Sequence, residues 1–157
     1  MNTCNVQVHT EREGLMHIST RILFASALLL APLAVQADDH RTQAPEGAAV
    51  YFLTPADGAT VESPVLVRFG LSGMGVAPAG TEKEKTGHHH LLIDQTLEDQ
   101  DSAIPSDETH RHFGGGQTET AVELAPGSHT LQLVLGDHNH IPHQPPVMSD
   151  VITITVE

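Results

Sequence analysis

The sequence predicts an all-β fold, a single Ig-like antiparallel β-sandwich of about seven strands. Three observations carry this expectation. Short runs of alternating apolar residues recur from Ala48 to the C-terminus. Sequences rich in Pro, Gly and Asp separate those runs and read as turns. No segment shows the apolar period of an amphipathic helix.

The strands follow in order. Val50-Tyr51-Phe52-Leu53 is a short apolar strand, stopped by the turn sequence Pro55-Ala56-Asp57-Gly58. Val65, Val67, Phe69 and Leu71 alternate with Leu66 and Arg68, as a half-buried strand requires. His89, Leu91 and Ile93 alternate with His88, His90 and Leu92. Val122 and Leu124 close another strand before Pro126-Gly127. Leu131, Leu133 and Leu135 form the next inward-facing set, and Ile152, Ile154 and Val156 form the last. Two long stretches, Ser72 to Gly87 and Gln95 to Arg111, have no clear pattern. Loops of that length are uncommon unless functional or mobile. There is no internal repeat and no second domain.

The N-terminal region reads as targeting sequence. Arg21 supplies a positive charge, Ile22 to Leu30 a short apolar run, and Val35-Gln36-Ala37 small residues at the −3 and −1 positions of a signal-peptidase site. The run falls short of the roughly 20 residues that span a bilayer. The expected organisation is an over-extended start at 1–15, a signal peptide at 16–37, a flexible leader at 38–47 and the sandwich domain at 48–157. Cleavage predicts export to the periplasm with no membrane anchor. Cys4 is the only cysteine and precedes the signal, so a disulfide framework and thiolate metal sites are excluded from the mature chain.

The formal net charge is −13, which argues against nucleic acid and anionic membrane as partners. It suits attraction of cations. With no Trp and one Tyr, stacking on sugars or bases is a poor candidate activity.

The histidines are the chemical signal. They gather in GHHHLLID at 87–94, HRHFGGGQTE at 110–119 and GDHNHIPH at 136–143. On an extended segment, residues two apart face the same way. His88 with His90, His110 with His112, and His138 with His140 can each present two imidazoles on one side. If the sandwich brings the clusters to one rim, these six and His143 can share a metal. Imidazole and carboxylate without thiolate favour copper, with zinc and nickel as alternatives. Asp94 and Asp137 are candidate ligands, or acceptors that fix a histidine tautomer. His129 shares its parity with Leu131 and Leu133 and reads as a strand-end residue. Cleavage after Ala37 would also leave His40 third in the chain, where amine, backbone amides and imidazole form a square-planar nitrogen set for Cu(II) or Ni(II).

Other chemistries are poorly supported. Ser102, Ser106 and Ser128 lie in no nucleophile motif, and Gly114-Gly115-Gly116 lacks the lysine of a phosphate loop. Asp99-Gln100-Asp101 lacks the glycine and distal glutamate of an EF-hand.

GHHHLLID, HFGGGQTE, PGSHTLQL and GDHNHIPHQPPVMSDVITITVE resemble an uncharacterised bacterial family, domain-of-unknown-function family 4399, over Val50 to Glu157. The resemblance implies a small exported single domain and supplies no activity. TPADGATVESPVLVRF, 54–69, is more faintly similar to copper-resistance domains of the CopC type, which implies an Ig-like sandwich. The copper site of that type uses an N-terminal histidine, which Asp38 would displace here.

The expectation is a monomeric periplasmic protein that binds a divalent transition metal for buffering, delivery or sensing, and is not an enzyme. The first alternative is a metal-free module that docks another envelope protein and carries pH-sensitive histidines. The second is a copper/zinc dismutase-like enzyme, for which only Arg111 is placed to guide an anion.

Overall fold

A computed structural model of the chain describes Met1 and residues 40–157. The expected start and signal segments lie outside the described residues, apart from Met1. The chain divides into two units, Met1–Ala37 and Asp38–Glu157, and the second is the β domain.

Nine strands build the domain: β1 Ala49–Thr54, β2 Thr60–Val61, β3 Val65–Ser72, β4 Gly75–Val76, β5 Thr86–Ile93, β6 His110–His112, β7 Glu119–Val122, β8 Gly127–Gly136 and β9 Ile152–Val156. No helix occurs among the described residues, so none there is long and apolar enough to cross a membrane. The all-β expectation holds. The strands read from alternation all form, although β7 ends at Val122 and leaves Leu124 outside it. The additions, β2, β4 and β6, are two or three residues long and have no alternation to reveal them.

The strands form two sheets. β1, β3 and β7 make the smaller, antiparallel one. β2, β9, β8, β5 and β4 make the larger, and β6 adds to β5. Two short pairings in it, β2 with β9 and β4 with β5, are parallel. The long β5–β8 ladder runs from His88 opposite Gly136 to Ile93 opposite Leu131.

The core follows from the alternation. Val65, Val67 and Phe69 of β3 are buried, while Leu66 and Arg68 are exposed. They pack with Leu91, Ile93, Leu131, Leu133, Leu135, Ile152, Ile154 and Val156 of the larger sheet. Fully burying one such side chain contributes about 1.5–3 kcal/mol. β5 departs from alternation, since every residue from Gly87 to Ile93 is buried. His89, Leu91 and Ile93 face the core, so His88, His90 and Leu92 must face the other way. There Leu92 packs with Ile104 and Val134 in a second apolar cluster, flanked by Leu97 and Met148. Leu97 and Ile104 belong to the long acidic stretch after β5, which therefore covers the outer face of the sheet.

The stretch expected as a flexible leader is tied down from its early residues. Gln43 pairs with Gln144, and Ala44 N–H donates to Gln144 O at 2.8 Å. Gln144 N–H donates to Thr42 O at 2.9 Å, and Ala44 packs against the main core.

Candidate metal centre

β5 supplies the foundation. His88 and His90 stand two residues apart on its outer face, buried to 1% and 0% exposure. Their Nε2 atoms are 3.1 Å apart. Two imidazoles on one metal, at bond lengths of about 2.0–2.1 Å, stand roughly 2.9–3.4 Å apart for square-planar to tetrahedral angles. The pair is thus already spaced as ligands of a single ion.

β6 supplies the third ring. His112 is the direct cross-strand partner of His90, which puts both side chains on one face. One nitrogen from each of His88, His90 and His112 lies within 4.8 Å of the others. The turn after β8 supplies the fourth. The His140 ring centroid lies 5.0 Å from that of His88, 4.8 Å from His112 and 6.1 Å from His90. The remaining three separations are 4.9, 5.0 and 5.0 Å. Each ring therefore neighbours the other three, a compact set in which His140 adjoins the close trio of His88, His90 and His112.

Two glycines make room for it. A Cβ on Gly114 would lie 2.4 Å from His112 Cε1 and 2.6 Å from its Nε2. A Cβ on Gly136 would lie 2.9 Å from His90 Nε2. Any side chain at either position would push an imidazole out of place. In the sequence both glycines merely flank the clusters; the signal was a glycine two residues after His112 and one ending the β8 alternation.

The electrostatics favour neutral rings. Burial, with repulsion from His140 and His112, pushes His88 down to about 4. Burial, then His88, His112 and His140, pushes His90 down to about 2. Burial and His140 lower His112 as well. Neutral imidazole is the form that binds a metal, so protons do not compete for these lone pairs near pH 7. The Nδ1 atoms of His88 and His90 and the Nε2 of His112 have no protein hydrogen-bond partner. A buried unpaired polar group costs about 1–3 kcal/mol. An ion beside the Nε2 atoms of His88 and His90 would give the His112 Nε2 a partner and leave the two Nδ1 atoms as they are.

The other sequence candidates sit elsewhere. His110 Nδ1 lies 3.0 Å from both oxygens of Asp107, which turns the ring to that carboxylate. His138 Nε2 lies 2.9 Å from Asn139 Nδ2. His143 is buried, with its two ring nitrogens 3.3 Å from Leu135 O and Thr86 O, a clamp between β8 and β5. His40 Nε2 lies 2.9 Å from Asp101 O. His129, set aside from the sequence, is held by Asp94 at 2.7 Å and by Ala125 O at 2.9 Å. Asp94 thus fixes a histidine outside the cluster. His89 faces the core, its ring centroid 5.1 Å from that of Phe69.

All three clusters therefore meet, but unevenly: two histidines come from the first and one each from the second and third. They meet on the outer face of the larger sheet, where β6 ends at His112 and β8 ends at Gly136 opposite His88. Strand parity explains the first pair. The second pair separates because Asp107 captures His110, and the third because residues 138–140 form a turn instead of a strand.

The fold and site define a class, an all-β sandwich with two buried and two half-buried imidazoles gathered on one sheet face. A family model described as a domain of unknown function (DUF4399) matches residues 67–157, and the chain belongs to that family. The matched span includes all four histidines. No curated protein and no solved structure matches the chain, so the likeness to copper-resistance domains gains no support from these comparisons.

Proposed function

We propose that the protein binds one divalent transition-metal ion through His88, His90, His112 and His140, and that copper is the preferred metal. The observation that carries this is the convergence of four imidazoles, every pair of ring centroids lying between 4.8 and 6.1 Å. Four nitrogen donors with no thiolate suit Cu(II), Zn(II) or Ni(II), and Cu(II) binds most tightly in the general order of divalent ions. The role is buffering, delivery or sensing in the periplasm, which follows from the expected signal peptide. Four imidazoles, two of them fully buried, favour holding an ion over turning over a substrate. A pH-sensing docking module fits less well, because burial keeps His88 and His90 neutral well below pH 6.

The test is metal content and affinity of protein purified without a polyhistidine tag or metal column. One Cu(II) or Zn(II) per chain, held against a competing chelator and weakened by His90→Ala, is the expected result. No binding of either ion at micromolar concentration would sink the proposal. Fractionation of cells expressing the full chain separately tests the compartment.

A further inference from the structure

Three of the four imidazoles stand on strands, but His140 stands on a turn in an unfavourable conformation. Its φ is 68°, a left-handed value that costs a residue with a Cβ about 1 kcal/mol or more. Something must hold it there. The holder is Asp137, 2% exposed and three residues upstream. Asp137 O accepts from His140 N–H at 2.9 Å, and Asp137 N–H donates to Ile141 O at 2.9 Å. Its Oδ1 accepts from Asn139 N–H at 2.8 Å and from Ile141 N–H at 3.0 Å. The carboxylate thus ties both sides of the residue that carries the fourth ring. Its other oxygen reaches outside the turn. Thr42 Oγ1 donates to Asp137 Oδ2 at 2.6 Å, across 95 positions of sequence. Thr42 is itself fixed, because its carbonyl accepts from Gln144 N–H at 2.9 Å and Ala44 pairs back to Gln144.

We infer that Thr42, acting through Asp137, is a positioning residue for the metal centre: the segment at 42–44 straps the turn so that His140 faces the other three rings. The consequence for metal affinity rests on the metal-binding proposal; the positioning of His140 does not. The hydrogen bonds of Thr42 go to Asp137 and Gln144, not to a ring of the cluster. It acts at one remove, as partners of metal ligands commonly do, and loss of such a partner costs 10–100-fold in affinity, on the order of magnitude seen at other sites. The buried carboxylate also places a negative charge near His88, where an ion with four neutral ligands would leave two uncompensated positive charges.

The experiment compares wild type, Thr42→Val and Thr42→Ser. Valine keeps the shape and removes the hydroxyl; serine restores it. Cu(II) and Zn(II) affinities are measured by chelator competition, the Cu(II) centre by electron paramagnetic resonance, and the His140 amide by hydrogen exchange without metal. T42V is expected to weaken metal binding about tenfold or more. Its Cu(II) spectrum should move toward that of His140→Ala, and its His140 amide should exchange faster. T42S should return all three toward wild type. If T42V only lowers stability, with affinity, spectrum and His140 exchange unchanged, the inference is overturned. If wild type binds neither ion, the proposed function fails, and the exchange readout still decides the strap: faster exchange supports it and unchanged exchange refutes it. Should T42V not fold, Thr42→Ala serves the same comparison.

Discussion

The metal-free domain should be markedly acid-labile, and the steepness can be worked out from the buried rings. Burial holds His88 and His89 down at about 4 and His90 at about 2. In the unfolded chain each titrates near 6.5. The folded values are depressed, so the neutral rings disfavour folding only where the unfolded chain takes up protons. Their cost is absent above pH 6.5 and grows as pH falls toward the folded values. Between about pH 6 and 4 the unfolded chain binds about two to three more protons than the folded one, a slope of about 3–4 kcal/mol per pH unit. His112 is lowered too and adds to the slope. His129 is raised by its bond to Asp94, so it is protonated in both states through this window and contributes little slope there. Against a stability in the lower half of the usual range of about 5–15 kcal/mol, the slope predicts unfolding near about pH 4–5. The assay is urea unfolding followed by far-ultraviolet circular dichroism with a chelator present, at pH 7.5, 6.5, 5.5 and 5.0. His89→Phe, which removes one buried ring without touching the four-ring cluster, should reduce the slope by about 1.4 kcal/mol per pH unit. Stability that is flat from pH 6.5 to 5, or a slope below one proton, would refute the reasoning.

Four further outcomes are expected. Gly114→Ala should weaken metal binding without unfolding the domain, because its Cβ would strike His112 and not the core; chelator competition and circular dichroism read the two effects apart. His140→Ala should weaken Cu(II) binding at least about tenfold, or about 1.4 kcal/mol, whereas His110→Ala should leave it unchanged. Leu133→Ala, at 0% exposure between the sheets, should cost about 2–5 kcal/mol in urea unfolding while the folded fraction still binds metal. Saturating the protein with Zn(II) at a hundred times its dissociation constant should add about 2.7 kcal/mol, which appears as a higher unfolding temperature.

The sheets were legible because their signal is local. A face of Val65, Val67 and Phe69, or of Leu131, Leu133 and Leu135, declares itself at a spacing of two residues. β2, β4 and β6 were not, because pieces this short are defined by their partners rather than by their own pattern. The same division runs through the site. His88 and His90 share a face by parity alone, which the sequence contains. That His112 lies opposite His90 depends on the β5–β6 register, set by a long intervening loop. That His140 joins them, while His138 and His110 do not, depends on hydrogen bonds of Asp137 and Asp107 that no spacing rule encodes. The role of Thr42 is the least legible of all. It is a contact across the length of the domain, from a stretch whose composition reads as a leader.

Whether His88, His90, His112 and His140 hold one ion is tested most directly by the spectrum of bound Cu(II). Electron paramagnetic resonance on tag-free protein carrying one equivalent of Cu(II) should show a single species with hyperfine structure from imidazole nitrogens. That species should change when His88, His90, His112 or His140 is replaced by alanine, and should persist when His110, His129 or His138 is replaced. Absence of a tight one-to-one species, or a spectrum indifferent to all four substitutions, would contradict the account.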